Sequence, residues 1–467
     1  MTATILKFDA VVVGSGQAGN PLAVELAKAG MRVAVVEREH VGGTCVNEGC
    51  TPTKTMIASG RVAYLARRAA DYGVHLSGDI TIDMRKVRQR KRDIVSSFRG
   101  GSESSLAAAG VTVFMGEASF TAGGPPTLRV KLLAGDERLL QSNFWFINTG
   151  ARPAVPTLDG LDSLPQVLTS TSIMELDVVP EHLIVLGGGY IGVEFAQLMR
   201  RLGARVTLVQ RGKQLLPNED ADVADVVAEI LREDGIDVML DTSALSVTSP
   251  APLAIDLRVS GDRTISGSHL LVATGRTPNA DVLNVRAAGV ECSPQGFVKV
   301  NAYCETNIHG IWALGDVTGP PAFTHTSYDD YRIVAHNVLK PDLLLGKSRE
   351  GRLVPYTVFM DPQLGHVGMH EHEARKSGKP ILVASMKMSR VARALEVDET
   401  RGLMKAVVDA ETDKILGFTC LGIEGGEVMN VVQTAIMGGL PYTALQNAIW
   451  AHPTLGEALN NLWADLH

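Results

Sequence analysis

An α/β protein built around two copies of one strand, glycine loop, helix, strand device is what this 467-residue sequence predicts. Three observations carry the prediction. A glycine-rich turn follows an apolar, β-branched run near the start, and the same arrangement returns from residue 182. Two further apolar strands end in the matching tripeptides Asn148-Thr149-Gly150 and Ala273-Thr274-Gly275, which mark crossings between lobes. The chain is too long for one ordinary domain and suggests roughly two to four.

In the first copy the run Ala10 to Val13 meets Gly14-Ser15-Gly16-Gln17-Ala18-Gly19, then an amphipathic helix, then a strand from Val33 to Val36 that ends at Glu37. Gly14 makes the tight turn, Gly16 lets backbone approach a pyrophosphate, and Gly19 lets the helix pack close to the sheet. The helix N-terminus then offers free N–H groups and a partial positive charge to phosphates. Glu37 sits where a carboxylate accepts hydrogen bonds from ribose hydroxyls. Framed in this way, the loop predicts dinucleotide binding.

The second copy runs from His182 to Leu186 into Gly187-Gly188-Gly189-Tyr190-Ile191-Gly192, then a helix through Arg201 and a strand from Arg205 to Val209. Gly14 to Glu37 and Gly187 to Gln210 both span 23 positions, so the second unit is the same device with Gln210 in place of the acid. Losing the carboxylate removes a repulsion against a 2′-phosphate, and Arg211 with Lys213 can bind one. That favours NADPH over NADH. Two nucleotide sites imply two nucleotides that exchange electrons. The later stretch Gly310-Ile311-Trp312-Ala313-Leu314-Gly315-Asp316 reads as a strand opening into a loop that places Asp316 against a polyol chain.

Composition agrees with a soluble globular protein. About 45% of residues are apolar and 20% charged, and 44 Lys plus Arg against 51 Asp plus Glu give a net charge of −7. This balance gives no pull toward nucleic acid or anionic membranes. No apolar stretch approaches membrane-span length, and the opening segment reads as a first strand rather than a signal peptide. Five cysteines make no disulfide framework, so a reducing cytoplasm is expected. Cys292, Cys304 and Cys420 lack ligand-like spacing and read as inert.

Cys45 and Cys50 differ. They lie in Gly42-Gly43-Thr44-Cys45-Val46-Asn47-Glu48-Gly49-Cys50-Thr51-Pro52-Thr53-Lys54, between the first device and its continuation. Five positions on an ideal helix rise about 7.5 Å, beyond the ~6.8 Å Cα limit of a disulfide. Closure therefore needs a distorted first turn, for which Gly49 and Pro52 supply the means. Near a helix start, with Lys54 one turn on, the thiols are expected to have lowered pKa values and to form a reactive couple.

With these motifs in this order, the sequence resembles the class I pyridine nucleotide-disulfide oxidoreductases, the flavoprotein disulfide reductases that include glutathione reductase, dihydrolipoyl dehydrogenase and mercuric reductase. The likeness covers essentially the whole chain. It implies two Rossmann-like domains, for FAD and NAD(P), plus a C-terminal α+β dimerisation domain. The implied FAD domain is discontinuous, residues 1–149 and 276–345, with an NAD(P) domain at 150–275 and the dimerisation domain at 346–467. One non-covalent FAD per subunit would be held by Gly14, Gly16, Gly19, Glu37, Gly43, Thr44, Lys54, Ala118, Thr149, Gly150, Arg276, Asp316 and Thr324. Gly187, Gly189, Tyr190, Gly192 and Arg211 would hold the nicotinamide nucleotide, with Tyr190 as a gate that swings aside for it.

The same resemblance makes Cys45 the interchange thiol and Cys50 the charge-transfer thiol against the flavin, with Lys54 and Glu194 paired near it. His452 and Glu457 of His452-Pro453-Thr454-Leu455-Gly456-Glu457 would be an acid–base pair supplied across a homodimer interface. An imidazole moves a proton to or from a thiol near neutral pH, and a carboxylate fixes its tautomer. Electrons would pass from NAD(P)H through FAD and the Cys45–Cys50 disulfide to a small disulfide or thiophilic acceptor. A Hg(II) or Cu(II) reductase, or a dihydrolipoyl dehydrogenase running oxidatively, is the alternative. The absence of cysteine after Cys420 and of an N-terminal metal-binding module speaks against efficient Hg(II) reduction, and Gln210 disfavours an NAD-linked dihydrolipoyl dehydrogenase.

Three weaker signals complete the sequence. The basic run Arg85 to Arg92 lacks the aromatics of a nucleic-acid patch and reads as the solvated face of a helix capped by Asp83. His366, His370 and His372 read as a surface turn into a helix and not as a metal site. His325, nine residues after Asp316, is a candidate neighbour of the flavin.

Overall fold

The computed structural model describes residues 5–161, 164–340 and 346–467, and they form two compact units. The first comprises residues 5–55, 88–154 and 276–352. The domain edge expected at 345 falls on residues 341–345, outside the described residues. The second unit comprises 56–87, 155–275 and 353–467.

In the first unit the strand Ile5–Val13 is the middle one of five parallel strands. The order is Thr112–Phe120, Val33–Glu37, Ile5–Val13, Glu137–Ile147 and Ile311–Ala313. The strand Thr127–Leu132 joins Thr112–Phe120 to Glu137–Ile147 by antiparallel pairing. Strands covered on both faces must be apolar at every position, and the run at 10–13 is. Val11 and Val13 pack into one core with Val36, Trp145 and Ile147, while Ala10 and Val12 pack into another with Leu22, Val35 and Phe146. The helix Gly19–Lys28 buries Leu22, Ala23 and Leu26 at helical spacing.

The second unit repeats the plan. Its parallel order is Asp237–Met239, Arg205–Val209, His182–Leu186, His269–Val272 and Val167–Leu168. Leu183 and Val185 face one core, and Ile184 and Leu186 the other. The same unit holds a five-stranded antiparallel sheet, ordered Tyr356–Val358, Gln363–Gly368, Ile415–Gly422, Leu403–Asp409 and Ile381–Lys387. Among the described residues no helix is long and apolar enough to cross a membrane.

Two expectations change here. The helix Met84–Ala108 does start at Asp83, whose carboxylate accepts from the Lys86 backbone N–H at 3.0 Å. Its basic run is not all solvated, however, because Lys91 is only 3% exposed. His366 and His370 are not on a surface turn. His366 lies inside the strand Gln363–Gly368, between two paired strands, and both imidazoles are buried.

Candidate active site

Both glycine loops are built by the same contacts. Gly14 and Gly187 have φ of +96° and +112°, and a Cβ there would meet the Asn148 carbonyl oxygen at 2.2 Å or that of Ala273 at 2.5 Å. Only glycine fits. Each is tied to the strand that ends its device, Gly14 N–H to Val36 O at 2.8 Å and Gly187 N–H to Val209 O at 2.9 Å. Gly19 and Gly192 lie so close under Gly14 and Gly187 that a Cβ would stand 2.2 and 1.9 Å from their carbonyl oxygens. Gly43 comes equally near Gly16, at 2.6 Å from an added Cβ to its Cα, while Gly150 and Gly189 face open space.

Glu37 is buried, and its Oε2 accepts from the Ser15 N–H (3.0 Å) and hydroxyl (2.7 Å). Gln210 does the equivalent with Oε1, accepting from Gly188 N–H at 3.1 Å, while its Nε2 donates to Gln214 O at 3.2 Å. Arg211 and Lys213 are exposed.

The cysteine segment folds as the spacing required. A helix Gly43–Asn47 stops, Glu48 and Gly49 break the run, and a new helix begins at Cys50 and extends to Arg67. The Cys45 and Cys50 thiols are in mutual hydrogen-bond contact, and Cys50 Sγ lies 3.3 Å from the Thr324 hydroxyl. The Cys45 thiol is not lowered as expected. It is raised by its hydrogen bond to Cys50, by burial and by the like charge of Cys50, against which Thr324 and Lys54 pull weakly. The segment therefore keeps the Cys45 proton while the neighbouring sulfur is close.

Arg276 brings this segment together with Asp316. Its guanidinium is pushed down by burial and feels the charges of Asp316, Glu48 and Cys50, and it donates to the Ala151 carbonyl. Asp316 opens the short turn Gly315–Thr318, and burial pushes its carboxyl up against the pull of Arg276. Among the described residues, Thr149 Oγ1 and Arg276 Nε are buried without a hydrogen-bond partner. Such atoms are rare unless a ligand completes them. Together with the phosphate cradle of the first loop, they fit a bound dinucleotide. Ala118 is buried in the strand Thr112–Phe120 of the same unit. His325 is exposed in the first turn of the helix Thr324–Leu339, stacked on Phe323 at 5.3 Å.

In the second unit, Glu194 is buried and accepts from Phe359 N–H at 2.8 Å. His452 is 69% exposed at its side chain, and its Nδ1 lies 3.0 and 2.9 Å from the two Glu457 oxygens. The carboxylate fixes the Nδ1–H tautomer, which leaves Nε2 outward as a proton acceptor. Lys54 belongs to the first unit and Glu194, His452 and Glu457 to the second. Cys304 and Cys420 are buried, and burial pushes both thiols up to about 12, as inert cysteines require.

Sequence reasoning missed two supports. Asn148 accepts from Gly19 N–H at 2.8 Å and donates to Leu314 O at 3.0 Å, pinning the helix start to two strands. Asp330, 1% exposed, accepts from Gly315 N–H at 2.8 Å and pairs with Arg349 and Arg352 beneath the Asp316 turn. An acid nearly two helical turns inside Thr324–Leu339 was the available signal for the second.

Comparison with known proteins settles the family. The family model described as pyridine nucleotide-disulphide oxidoreductase matches residues 8–330, and its dimerisation domain matches 354–463. The chain belongs to the pyridine nucleotide-disulphide oxidoreductase family. It is 37% identical over 466 residues to the probable pyridine nucleotide-disulfide oxidoreductase RclA of Escherichia coli, covering 98% of this chain and 99% of that one. It is 34% identical to a mercuric reductase of Staphylococcus aureus, over 97% of this chain and 81% of that protein. A solved Cu(II) complex of the HOCl-induced flavoprotein disulfide reductase RclA from E. coli matches with a TM-score of 0.89 at 36% identity, over 98% and 99% of the two chains. This family member is a flavoprotein oxidoreductase that uses FAD and a pyridine nucleotide, and its dimerisation domain points to a homodimer.

Proposed function

We propose that this oxidoreductase reduces a small disulfide with NADPH, and that Cys45 and Cys50 are the groups that exchange with it. The thiol contact of Cys45 and Cys50 at an interrupted helix start, beside Thr324, carries the reading. As a three-part division of the chain, 1–149 with 276–345 would hold FAD, 150–275 the nucleotide, and 346–467 the dimer contact. FAD would be held by the loop at Gly14, Gly16 and Gly19, by Glu37, Gly43, Thr44, Lys54, Ala118, Thr149, Gly150, Arg276, Asp316 and Thr324. When bound, it supplies two-electron transfer between nicotinamide and the cysteine pair.

The chain's own residues do the rest. His452 takes the Cys45 thiol proton on its accepting Nε2, and the Cys45 thiolate so formed attacks one sulfur of the substrate disulfide, giving a mixed disulfide. His452, oriented by Glu457 and acting across the dimer interface, protonates the departing thiolate, since a quenched charge leaves more readily. Cys50 then attacks the Cys45 sulfur, releases the second substrate thiol and closes the Cys45–Cys50 bond. Tyr190 gates the nucleotide, Arg211 and Lys213 bind its 2′-phosphate, and Lys54 with Glu194 flanks the flavin.

An anaerobic stopped-flow titration with NADPH and NADH tests this, through a long-wavelength thiolate-to-flavin band that forms on reduction. Its absence sinks the thiol assignment. A metal-ion acceptor is the second reading, favoured by the likeness to mercuric reductase and to the Cu(II) complex of RclA. Turnover on oxidised lipoamide, glutathione disulfide, Hg(II) and Cu(II), before and after alkylation of the reduced enzyme, separates the two.

A further inference from the structure

Beside Tyr190 in the second unit lies a carboxylate buried without a cation. The side chain of Glu219 has no exposed surface, and its only ion-pair candidate among the described residues is His370. Tyr356 donates its hydroxyl to Glu219 Oε1 at 2.6 Å, and the Tyr190 hydroxyl reaches the same oxygen at 3.4 Å. His370 Nε2 lies 3.1 Å from the Tyr356 oxygen. Because the one Tyr356 hydrogen goes to Glu219, Nε2 must be the donor in that contact. His370 Nδ1 is then bare in the neutral ring. It faces Glu219 Oε2 at 3.9 Å, and among the described residues neither of these two buried atoms has a hydrogen-bond partner.

Two lone pairs facing each other in a buried site repel, and a proton on either group turns the repulsion into attraction. Hydrogen bonds join His370 to Tyr356 and Tyr356 to Glu219, and with that proton the 3.9 Å approach of Glu219 and His370 becomes favourable. A metal ion is a poor substitute, although Glu219, His366 and His370 offer ligand atoms within 4.8 Å. The His366 and His370 rings stack at 3.7 Å and 9°, so one ion cannot lie in both ring planes. His366 also has both nitrogens engaged, with the Thr419 hydroxyl at 2.8 Å and Gly368 O at 3.1 Å.

We propose that Glu219 and His370 share one proton, and that this pair is the positioning element for Tyr190, coupling the nicotinamide gate to protonation. The proposal rests on reading Tyr190 as that gate. Burial raises the Glu219 carboxyl to about 7, against hydrogen bonds from Tyr356 and Tyr190, with Asp220 raising and His372 lowering it. Burial lowers His370, whose other charged neighbours are Asp220, Glu373, His372 and Lys405. Asp220 is itself held as a carboxylate by hydrogen bonds from His372 and by the charge of Lys405. As pH rises through about 7 the proton leaves. Oε1 then binds the Tyr190 hydroxyl more tightly, and a buried negative charge faces an incoming anionic nucleotide.

Stopped-flow reduction of the oxidised holoenzyme by NADPH across neutral pH reads the coupling. Apparent nucleotide affinity should weaken about tenfold from acid to alkaline, the equivalent of one pKa unit, with little change in the limiting rate. Glu219→Gln should hold the acid-side affinity at every pH, because its amide donates to His370 Nδ1 and its oxygen still accepts from both tyrosines. His370→Phe removes the proton's acceptor, so its midpoint should fall. Infrared pH-difference spectra give a second readout: a buried carboxyl C=O band that titrates near neutrality and is absent in Glu219→Gln. A Glu219→Gln enzyme with the wild-type pH profile, or no titrating carboxyl band, overturns the proposal. If Tyr190→Phe leaves affinity and flavin reduction unchanged while the band still titrates, the gate reading fails, and the coupling with it.

Discussion

The two glycine loops are held by matching backbone contacts and differ in what their side chains leave available. Each begins with a left-handed glycine under a strand-end carbonyl, and each ends on a residue that caps the N–H of the second loop position. In the first loop that residue is Glu37, doubly bonded by Ser15 and also accepting from Glu39 N–H at 2.8 Å. In the second it is Gln210, whose amide turns one acceptor into a donor and leaves exposed Arg211 and Lys213 beside it. The backbone is therefore alike in both, while the last residue of the device differs in the donors and acceptors it offers. Among the described residues, the contacting cysteine pair lies in the first unit, in the segment after Gly43.

The widest separation of the two units comes from Cys45→Ser. Disulfide turnover should fall at least about a thousandfold, as removal of a nucleophile does, while reduction of bound flavin by NADPH stays within about twofold of wild type. Parallel loss of both half-reactions would mean that the first unit's sulfur chemistry is not separable from nucleotide use. Next in size is a pair of alanine substitutions. Gly14→Ala and Gly187→Ala each force a Cβ to 2.2 or 2.5 Å from a carbonyl oxygen at positive φ. The strain of about 1–3 kcal/mol should act locally: Gly14→Ala purifies depleted of flavin, whereas Gly187→Ala keeps it and loses about a hundredfold in nucleotide affinity. Loss of flavin from both would break the assignment of one nucleotide to each loop.

These devices were legible in the sequence because each is local: strand, turn, helix and terminal residue lie within two dozen positions and follow from backbone sterics. The distorted helix start was legible for the same reason, since Gly49 lies between the cysteines. What was not legible depends on distant partners. The Cys45 thiol is raised by contact and burial that its helix position and Lys54 do not reveal. His366 and His370 looked like a turn because Gly368 follows the first, yet the strand carrying His366 is covered by pairing with 356–358 and 415–422. Glu219 drew no notice, because its neighbours come from positions 190, 356 and 370. Lys91 shows the same lesson in small: a charge in a basic run says nothing of the face it occupies.

Nucleotide choice sharpens the comparison at the next level. Arg211→Ala should weaken NADPH about 10- to 100-fold, the loss of one or two charge-assisted hydrogen bonds, and leave NADH within about twofold. Gln210→Glu should move preference the same way by restoring repulsion against a 2′-phosphate. Steady-state KM for both nucleotides decides it, and equal losses for NADH would make Arg211 a general electrostatic contact.

The smallest effect on chemistry should come from Asn148, where the loops differ in support and not in ligand. Asn148 and Ala273 occupy matching places, each supplying the carbonyl over the first glycine. Only Asn148 adds a side chain, which takes the Gly19 N–H and gives to the Leu314 carbonyl. Asn148→Ala leaves both buried groups unpaired, at a cost of about 1–3 kcal/mol, so flavin release on heating should occur at lower temperature while turnover of the loaded enzyme is nearly unchanged. The second loop is built to the same backbone contacts with Ala273, whose methyl side chain gives no such tie. A large loss of turnover with unaltered thermal release would mean that Asn148 acts on the ligand directly, and the equivalence of the two cradles would then hold for their glycines alone.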